Sequence, residues 1–284
     1  ILIEADTGEV IFEKNSHERL PMASTTKIMT SLLAAQSGKL HDEITVSKEM
    51  ILVEGTSMGL LPGDSVSLYE LIYGMLLPSG NDAANVTAYY LGGNVEKFVK
   101  KMNAKAKEIG MENTNFVTPS GLDDEMHYST AYDMALLGRY AVGDPVFRSV
   151  CSSKKASLSY GNPPYKRTLY NHNRLLESYK YALGIKTGFT KKSGRCLVSY
   201  AEKDGTGLIA VTLNAPNDWN DHKLMLDYGF SKLKRYVFNP VIPEHMDVVG
   251  GNVENLKIFC EQFEYDSLNH RNVIQKLVID KFAY

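Results

Sequence analysis

The amino-acid sequence predicts an α+β protein: an antiparallel β-sheet with helices on both faces and an all-helical subregion, followed by part of a small β-rich domain. The order of predicted elements and the composition support this class. Strand-like segments open the chain, amphipathic helices follow, and β-rich segments return before a last helix. Apolar residues make up 44% and charged residues 23% of the chain, as in soluble globular proteins. This order of elements suits a sheet assembled from both ends of the chain.

The first predicted element is a β-hairpin. Two strand-like segments, ILIEA and VIFEKN, flank the turn DTGE. Because the chain opens inside a strand, without a methionine or a signal peptide, we expect it to be a processed or trimmed form. The missing targeting segment is therefore no evidence for a cytoplasmic location.

A block of amphipathic helices is predicted next. Residues 21–36 carry one apolar stripe, and Gly38 supplies a helix stop. A second helix has apolar residues at helical spacing and is broken by Pro78; these residues are Leu68, Leu71, Ile72, Met75 and Leu76. Further helices are predicted over 84–91, 95–109 and 131–142.

From about Phe147 the sequence becomes β-rich. The segments SVCSSKKASLSY, GRCLVSYAEKDG and GLIAVTLNAP predict strands, and the last two are joined by an Asp-Gly pair typical of a hairpin turn. Residues 218–236 then predict a helix. A domain boundary is expected near Tyr236, because two prolines follow it. The sequence predicts a main domain over 1–236. Residues 237–284 are too few to bury a core alone, so we expect them to be the start of a small β-rich domain or an appendage packed on the first.

Composition excludes several functional classes. The formal net charge of −2 gives no electrostatic basis for binding nucleic acid. Three cysteines without a CxxC pair and seven scattered histidines indicate neither a disulfide framework nor a metal site, so we expect no metal and no cofactor. No apolar run approaches the roughly 20 residues that span a bilayer.

An unusual lysine points to chemistry. Ser24 and Lys27 lie one turn apart at the start of the first helix, where the positive end of the helix dipole disfavours a cation. An SxxK pair alone is weak evidence, because it also occurs at Ser152/Lys155 and Ser231/Lys234. Only the first pair sits at a helix start with an apolar stripe behind it.

Two further motifs strengthen that observation. Ser79-Gly80-Asn81 falls in the break between two predicted helices, a place where side chains can face a cleft. Lys186-Thr187-Gly188 lies on a predicted strand beside that cleft. Each motif has an ordinary structural explanation when it is taken singly, as an N-cap, a loop or a surface strand. Their order and wide spacing together make coincidence improbable.

The three motifs resemble those of the penicillin-binding protein and serine β-lactamase superfamily, and most closely those of its low-molecular-mass, serine-type D-alanyl-D-alanine carboxypeptidases. The similarity extends to segments such as EGTSMGLLPGD, NTNFVTPSGLDDEMHYSTAYDMALLGRY and NHNRLL, and covers residues 1–236. It implies a β-lactamase/transpeptidase-like fold with a catalytic domain over 1–236 and a β-rich second domain after it.

The resemblance assigns roles that have physical reasons. Ser24 is the expected nucleophile and a neutral Lys27 its base, with Lys186 as the second cation that lowers the lysine pKa. Ser79 is expected to pass a proton to the departing amine. Asn81 is expected to hold Lys27 and a substrate amide, and Lys186, Thr187 and Gly188 are expected to bind substrate. The backbone N–H groups of Ser24 and Phe189 are expected to face the oxyanion.

The implied function is removal of the terminal D-alanine from the peptidoglycan stem pentapeptide ending in D-Ala-D-Ala, with β-lactams as covalent inhibitors. The alternatives are a serine β-lactamase, disfavoured because no ExxxN lies between Asn81 and Lys186, and a non-catalytic peptidoglycan-binding relative. We expect an extracytoplasmic, cell-envelope location, with possible peripheral membrane association through a C-terminal region not present here.

One departure from the family pattern concerns the substrate carboxylate. Some relatives use an arginine in the loop after the last sheet strand, but that loop here is NAPNDWNDH. Carboxylate binding is then expected to rest on Lys186 and Thr187, with Trp219 or His222 as candidate contributors.

Overall fold

The computed structural model describes residues 1–248, 255–259 and 261–268. The chain forms two compact units, residues 1–230 and residues 231–284. Each unit is described by itself below. The sequence-based assignment of a catalytic domain to 1–236 and an incomplete second domain to 237–284 stays a prediction.

The described secondary structure comprises these elements. The strands are β1 (Leu2–Glu4), β2 (Val10–Phe12), β3 (Glu43–Thr45), β4 (Ser65–Ser67), β5 (Lys155–Gly161), β6 (Pro164–Tyr170), β7 (Ala182–Thr190), β8 (Gly194–Lys203), β9 (Thr206–Thr212), β10 (Lys234–Phe238), β11 (His245–Asp247), β12 (Asn255–Lys257) and β13 (Phe263–Ser267). The helices are α1 (Lys27–Ala35), α2 (Leu68–Leu76), α3 (Asn81–Gly92), α4 (Val95–Ile109), α5 (Ala131–Val142), α6 (Pro145–Cys151), α7 (Leu175–Ser178) and α8 (Asp218–Lys232), and a 3-10 turn covers Ala23–Thr26.

A five-stranded antiparallel sheet forms the centre of the first unit. Its strand order is β2-β1-β9-β8-β7, so the N-terminal hairpin joins strands from far along the chain. The β8–β9 hairpin turns at Asp204 and Gly205, with φ of 52° and 82°. Positive φ at both turn residues matches the right-handed twist of the strands, which is why Asp-Gly is favoured there. The predicted sheet, built from both ends of the first unit, is confirmed.

Helices cover both faces of this sheet. On α5, a Cβ added to Gly138 would lie 3.1 Å from Val198, so the helix backbone packs directly on β8. On α8, a Cβ added to Gly229 would lie 2.8 Å from both Leu2 and Leu208. Val198 and Leu208 belong to opposite faces, because side chains alternate along paired strands. Helices on both faces were predicted, and this arrangement confirms them.

The helical subregion agrees with the predicted pattern. Helix α1 buries its apolar stripe, and α2 begins with a capping box between Ser67 and Glu70. Helix α3 begins at Asn81, three residues before the predicted start, because Gly80 turns the chain directly into the helix. The bounds of α4 and α5 are those predicted.

The prediction was wrong where β structure was expected from about Phe147. Helix α6 occupies Pro145–Cys151, because Asp144 caps it by accepting the N–H groups of Val146 and Phe147. Strand β5 begins only at Lys155, and its partner β6 was not predicted. The last helix was also drawn too long, since α8 ends at Lys232 and β10 follows.

The described part of the second unit contains two strand pairs. Strand β10 pairs with β13, and β11 pairs with β12, both antiparallel. The sequence pattern also predicts short strands within 247–265 and 272–284. Residues 249–254 and Cys260 of the first segment, and all of the second, lie outside the described residues.

Candidate active site

The Ser24/Lys27 pair lies where the 3-10 turn meets α1. Lys27 is the first residue of the helix, so its side chain returns over the preceding turn. Its Nζ donates to the Ser24 Oγ at 2.9 Å and to the Ser120 carbonyl at 2.6 Å. Lys27 is completely buried. The buried lysine therefore contacts the serine hydroxyl directly, at the floor of the region that Ser24 lines.

Burial controls the charge of this lysine. Removal from water lowers the pKa of Lys27 well below its usual 10.5, and the Lys186 cation lowers it further, whereas Asp82 opposes the shift. Burial also lowers the pKa of Lys186, to about 7. Because two buried ammonium groups repel each other, the neutral form of the Lys27 amine is more accessible here than it would be at an exposed lysine.

The Lys186 shift has a measurable consequence for stability. Below about pH 7 both the folded and unfolded states hold the proton, and the fold bears the full cost of a buried ammonium group. Between about 7 and 10.5 the folded state releases a proton that the unfolded state keeps, so the cost declines as the pH rises. In urea unfolding, the free energy of unfolding of wild type should therefore increase relative to that of Lys186→Met as the pH rises. A difference independent of pH would show that Lys186 is not desolvated.

The Ser79-Gly80-Asn81 motif lies between α2 and α3, as predicted. Two hydrogen bonds join this motif to Thr56. The Asn81 N–H donates to the Thr56 carbonyl at 2.7 Å, and the Thr56 Oγ1 donates to the Ser79 carbonyl at 2.5 Å. The Asn81 Nδ2 donates to the Glu54 carbonyl at 2.7 Å. Its Oδ1 is buried and has no partner among the described residues. An orphaned acceptor of this kind is suited to a ligand N–H.

Two residues beside the site have unusual backbones. Ala23 has φ of 46° and Ser79 has φ of 64°. Side chains other than Gly, Asn and Asp rarely adopt this left-handed region, which costs about 1–2 kcal/mol per residue. The surrounding contacts therefore hold Ser79, and Ala23 next to Ser24, in conformations that the isolated chain would avoid.

The KTG triplet lies on β7, at the free edge of the sheet. The Lys186 Nζ donates to the Thr187 carbonyl at 3.0 Å and is buried. Gly188 is where β7 approaches Ser24, because a Cβ there would lie 3.1 Å from both the Ser24 nitrogen and the Met22 carbonyl oxygen. Only glycine permits this approach without displacing the turn.

One cleft of about 470 Å³ collects these motifs. Six of the eight residues predicted from the sequence line it; they are Ser24, Ser79, Asn81, Thr187, Gly188 and Phe189. Lys27 and Lys186 lie buried beneath it and interact electrostatically. The expected contact of Asn81 with Lys27 is replaced by the Ser120 carbonyl in the described hydrogen bonds.

The cleft also contains residues that the sequence reasoning left without a role. Ser120 and Gly121 come from the TPSGL segment, and the Ser120 Oγ is buried without a partner among the described residues. His172 and Arg174 come from NHNRLL. Both segments had been recognised as family-like, which was the available signal. Arg195 and Asp218 carried no such signal.

The two residues proposed as possible carboxylate binders have different positions. Trp219 lines the cleft. His222 does not: it is completely buried, and its ring nitrogens contact the Ser199 Oγ at 2.8 Å and the Thr212 Oγ1 at 3.0 Å. Burial lowers the pKa of His222 to about 3, so its imidazole is neutral and serves the packing of α8 on the sheet.

The second SxxK pair has an ordinary structural explanation. The Ser152 Oγ donates to the Ser149 carbonyl at 3.0 Å, and Lys155 is exposed at the start of β5. Over the described residues there is no cluster of three or more His, Cys, Asp or Glu side chains that could hold a metal ion. Within the same part of the chain, every helix is too short or too polar to cross a membrane.

Comparisons with known proteins identify relatives of this chain. The family model for D-alanyl-D-alanine carboxypeptidases matches residues 1–217. D-alanyl-D-alanine carboxypeptidase DacF of Bacillus subtilis is 39% identical over 246 residues, which cover 83% of this chain and 62% of DacF. DacC of Escherichia coli is 38% identical over 246 residues, covering 81% of this chain and 60% of DacC. The chain thus spans about three fifths of the length of these relatives.

Solved structures show the same fold. The DD-transpeptidase of Streptomyces K15 matches with a TM-score of 0.77 at 30% identity, over 81% of this chain and 95% of that one. A D-alanyl-D-alanine carboxypeptidase from Mycobacterium tuberculosis matches with a TM-score of 0.76 at 31% identity, over 81% and 89% of the two chains. The fold class predicted from the sequence is confirmed.

Proposed function

Because this chain belongs to the D-alanyl-D-alanine carboxypeptidase family, we propose that it is a serine-type D-Ala-D-Ala carboxypeptidase. It removes the terminal D-alanine of the peptidoglycan stem pentapeptide through an acyl-enzyme on Ser24. One observation carries most of the proposal: the Lys27 Nζ lies 2.9 Å from the Ser24 Oγ in a buried site that lowers the lysine pKa. A lysine held neutral beside a serine hydroxyl is a general base.

Acylation begins when the neutral Lys27 amine accepts the hydroxyl proton of Ser24. The Ser24 Oγ then attacks the carbonyl carbon of the penultimate D-alanine, and the carbonyl oxygen becomes an oxyanion. The N–H groups of Ser24 and Phe189 stabilise it, which the close approach of Gly188 to the Ser24 nitrogen supports. As the peptide bond breaks, Ser79 passes its hydroxyl proton to the leaving nitrogen and takes in exchange the proton held by Lys27, so D-alanine departs as a free amine and Lys27 is neutral again. Water hydrolyses the acyl-enzyme with Lys27 again as base.

Substrate binding uses the remaining groups of the cleft. The orphaned Asn81 Oδ1 accepts a substrate amide N–H, because Asn81 lines the cleft and this oxygen is a buried acceptor without a partner in the described structure. Thr187 offers its hydroxyl to the terminal carboxylate, and the buried Lys186 cation adds attraction from below. β-Lactams acylate the same serine and act as covalent inhibitors.

Two assays test this function. A fluorescent penicillin should label wild type at one site, found on Ser24 by intact-mass and peptide analysis. A peptide ending in D-Ala-D-Ala should release free D-alanine much faster than penicillin is turned over. Rapid penicillin hydrolysis without D-alanine release would instead indicate a β-lactamase, for which the chain lacks the ExxxN glutamate. Absence of both labelling and release would indicate a non-catalytic peptidoglycan-binding relative.

The proposed substrate lies outside the cytoplasmic membrane, so we place the protein in the cell envelope. Its relatives are named as carboxypeptidases acting on D-alanyl-D-alanine, which supports this location through the substrate. Fractionation of cells producing the full-length gene product should recover it in the envelope or the medium. Recovery in the cytoplasm alone would contradict the proposal.

A further inference from the structure

Arg195 places a guanidinium group at the wall of the cleft. It lies near the start of β8 and pairs with Phe189 on β7, while Leu197 pairs with Thr187. Residues two apart on a strand share a face, so the side chains of Arg195 and Thr187 lie on the same face of the sheet as diagonal neighbours. Both residues line the cleft. A cation therefore stands beside the hydroxyl that is proposed to bind the substrate carboxylate.

Two residues of α8 orient this guanidinium. The Arg195 Nε donates to the Asp218 Oδ1 at 2.8 Å, and the Asp218 side chain is only 2% exposed. The Trp219 ring centroid lies 5.4 Å from the guanidinium carbon, and the same Asp218 oxygen accepts the backbone N–H of Trp219 at 2.8 Å. A buried carboxylate and an aromatic ring thus hold one planar group in one orientation.

The terminal nitrogens of Arg195 are left open. Its hydrogen bond to Asp218 uses Nε, and the described residues offer no partner to Nη1 or Nη2. The side chain is 38% exposed, enough to meet a ligand without being fully hydrated. A guanidinium edge with two parallel N–H donors matches a carboxylate in bidentate geometry.

The other cations near the cleft are less suited to this role. The Lys186 Nζ is buried and already donates to the Thr187 carbonyl. Arg174 lines the cleft but is exposed, and no carboxylate in the described structure fixes its side chain. The loop between β9 and α8 carries no arginine. Of these groups, Arg195 is the one whose side chain has both a fixed orientation and N–H donors without a partner in the described structure.

We propose that Arg195, positioned by Asp218 and Trp219, binds the C-terminal carboxylate of the substrate together with Thr187. The proposal rests on the carboxypeptidase function given above and adds the residue that makes the cleft selective for a free C-terminus. A peptide whose terminus is an amide presents no anion to the guanidinium fork. Arg195 is therefore expected to favour the acid over the amide.

The test compares two substrates that differ in one group. The peptides end in D-Ala-D-Ala and in D-Ala-D-Ala amide, and release of D-alanine or D-alanine amide gives kcat/KM for each. Arg195→Gln should lower kcat/KM for the acid by about 30- to 100-fold and change that for the amide by less than about threefold. Arg195→Lys keeps the charge but loses the fork, so an intermediate loss on the acid is expected.

The matched control is Arg148→Gln. Arg148 also pairs with a carboxylate, Glu202, and lies 5.2 Å from an aromatic ring, Tyr200, but it is outside the cleft. It should leave the preference for the acid unchanged. Thermal unfolding of each variant checks that the fold is intact.

Each outcome bears on a different proposal. Equal losses on acid and amide in Arg195→Gln would overturn the assignment, because a merely structural arginine affects both substrates alike. So would a variant with wild-type kinetics on the acid. If wild type itself neither reacts with penicillin nor releases D-alanine, the carboxypeptidase function has failed, and the two failures are thereby distinguished.

Discussion

Replacing Ser24 by alanine is expected to abolish penicillin labelling and to lower D-alanine release by about ten-thousand-fold or more. The reason is the loss of the attacking oxygen, because Ser24 carries the one side-chain hydroxyl that Lys27 contacts among the described hydrogen bonds. Removal of one hydroxyl should leave the fold intact, because the turn is held by other bonds such as that from the Thr25 Oγ1 to the Met22 carbonyl at 2.6 Å. Intact mass after penicillin treatment and a D-alanine assay measure the two effects.

The chain supplies its own control for this substitution. Ser152 belongs to a second SxxK pair, but its hydroxyl only donates to the Ser149 carbonyl. Ser152→Ala should therefore label and turn over like wild type. Persistent labelling of Ser24→Ala at another serine would mean that the nucleophile has been assigned to the wrong residue.

Replacing Lys27 by methionine is expected to lower acylation by about 10³-fold while raising the free energy of unfolding. Activity falls because the Ser24 hydroxyl loses its base, an effect of about 10²–10⁴ in enzymes. Stability rises because the buried amine, whose pKa is far below its unfolded value, no longer has to be desolvated. The lost bond to the Ser120 carbonyl offsets part of this gain, so a net increase of about 1–3 kcal/mol is expected.

The comparison variant is Lys155→Met, the lysine of the second SxxK pair. Lys155 is exposed at the start of β5, so its replacement should change neither acylation nor the urea midpoint appreciably. Second-order acylation rates with penicillin and urea unfolding at neutral pH provide both readouts. A Lys27→Met protein that acylates at the wild-type rate would contradict the assigned base. One that is much less stable would contradict the assigned burial cost.

Much of the fold could be predicted because local signals and global packing agree. Helix α4 has the predicted bounds because Asn94 caps its start by accepting the Lys97 N–H, and Gly110 ends it with φ of 90°. Helix α6 was missed for the opposite reason. Its seven residues are too few to show a helical period, and a single capping residue, Asp144, is weak evidence for a helix without such a period. The β5–β6 hairpin was incomplete in the prediction because the β6 segment alternates weakly.

The candidate site divides in a similar way. Ser24, Ser79 and Lys186 were found because each belongs to a short motif with its own chemistry. The role of Arg195 could not be found from the sequence, because it depends on Asp218 and Trp219 approaching from another element. Ser120 contacts Lys27 through its backbone carbonyl. Every residue has such a carbonyl, so the residue types in the sequence do not indicate this contact. Contacts of this kind are set by tertiary packing alone.

The left-handed backbones at Ala23 and Ser79 set a limit on how this protein can be improved. Glycine at position 23 would relieve the torsional penalty but would also free the turn that presents the nucleophile. Selection for thermal resistance alone would therefore tend to erode reactivity, because the cheapest gains lie next to the reactive groups. Directed evolution for thermal stability should therefore begin at positions away from the cleft and leave these two positions unchanged.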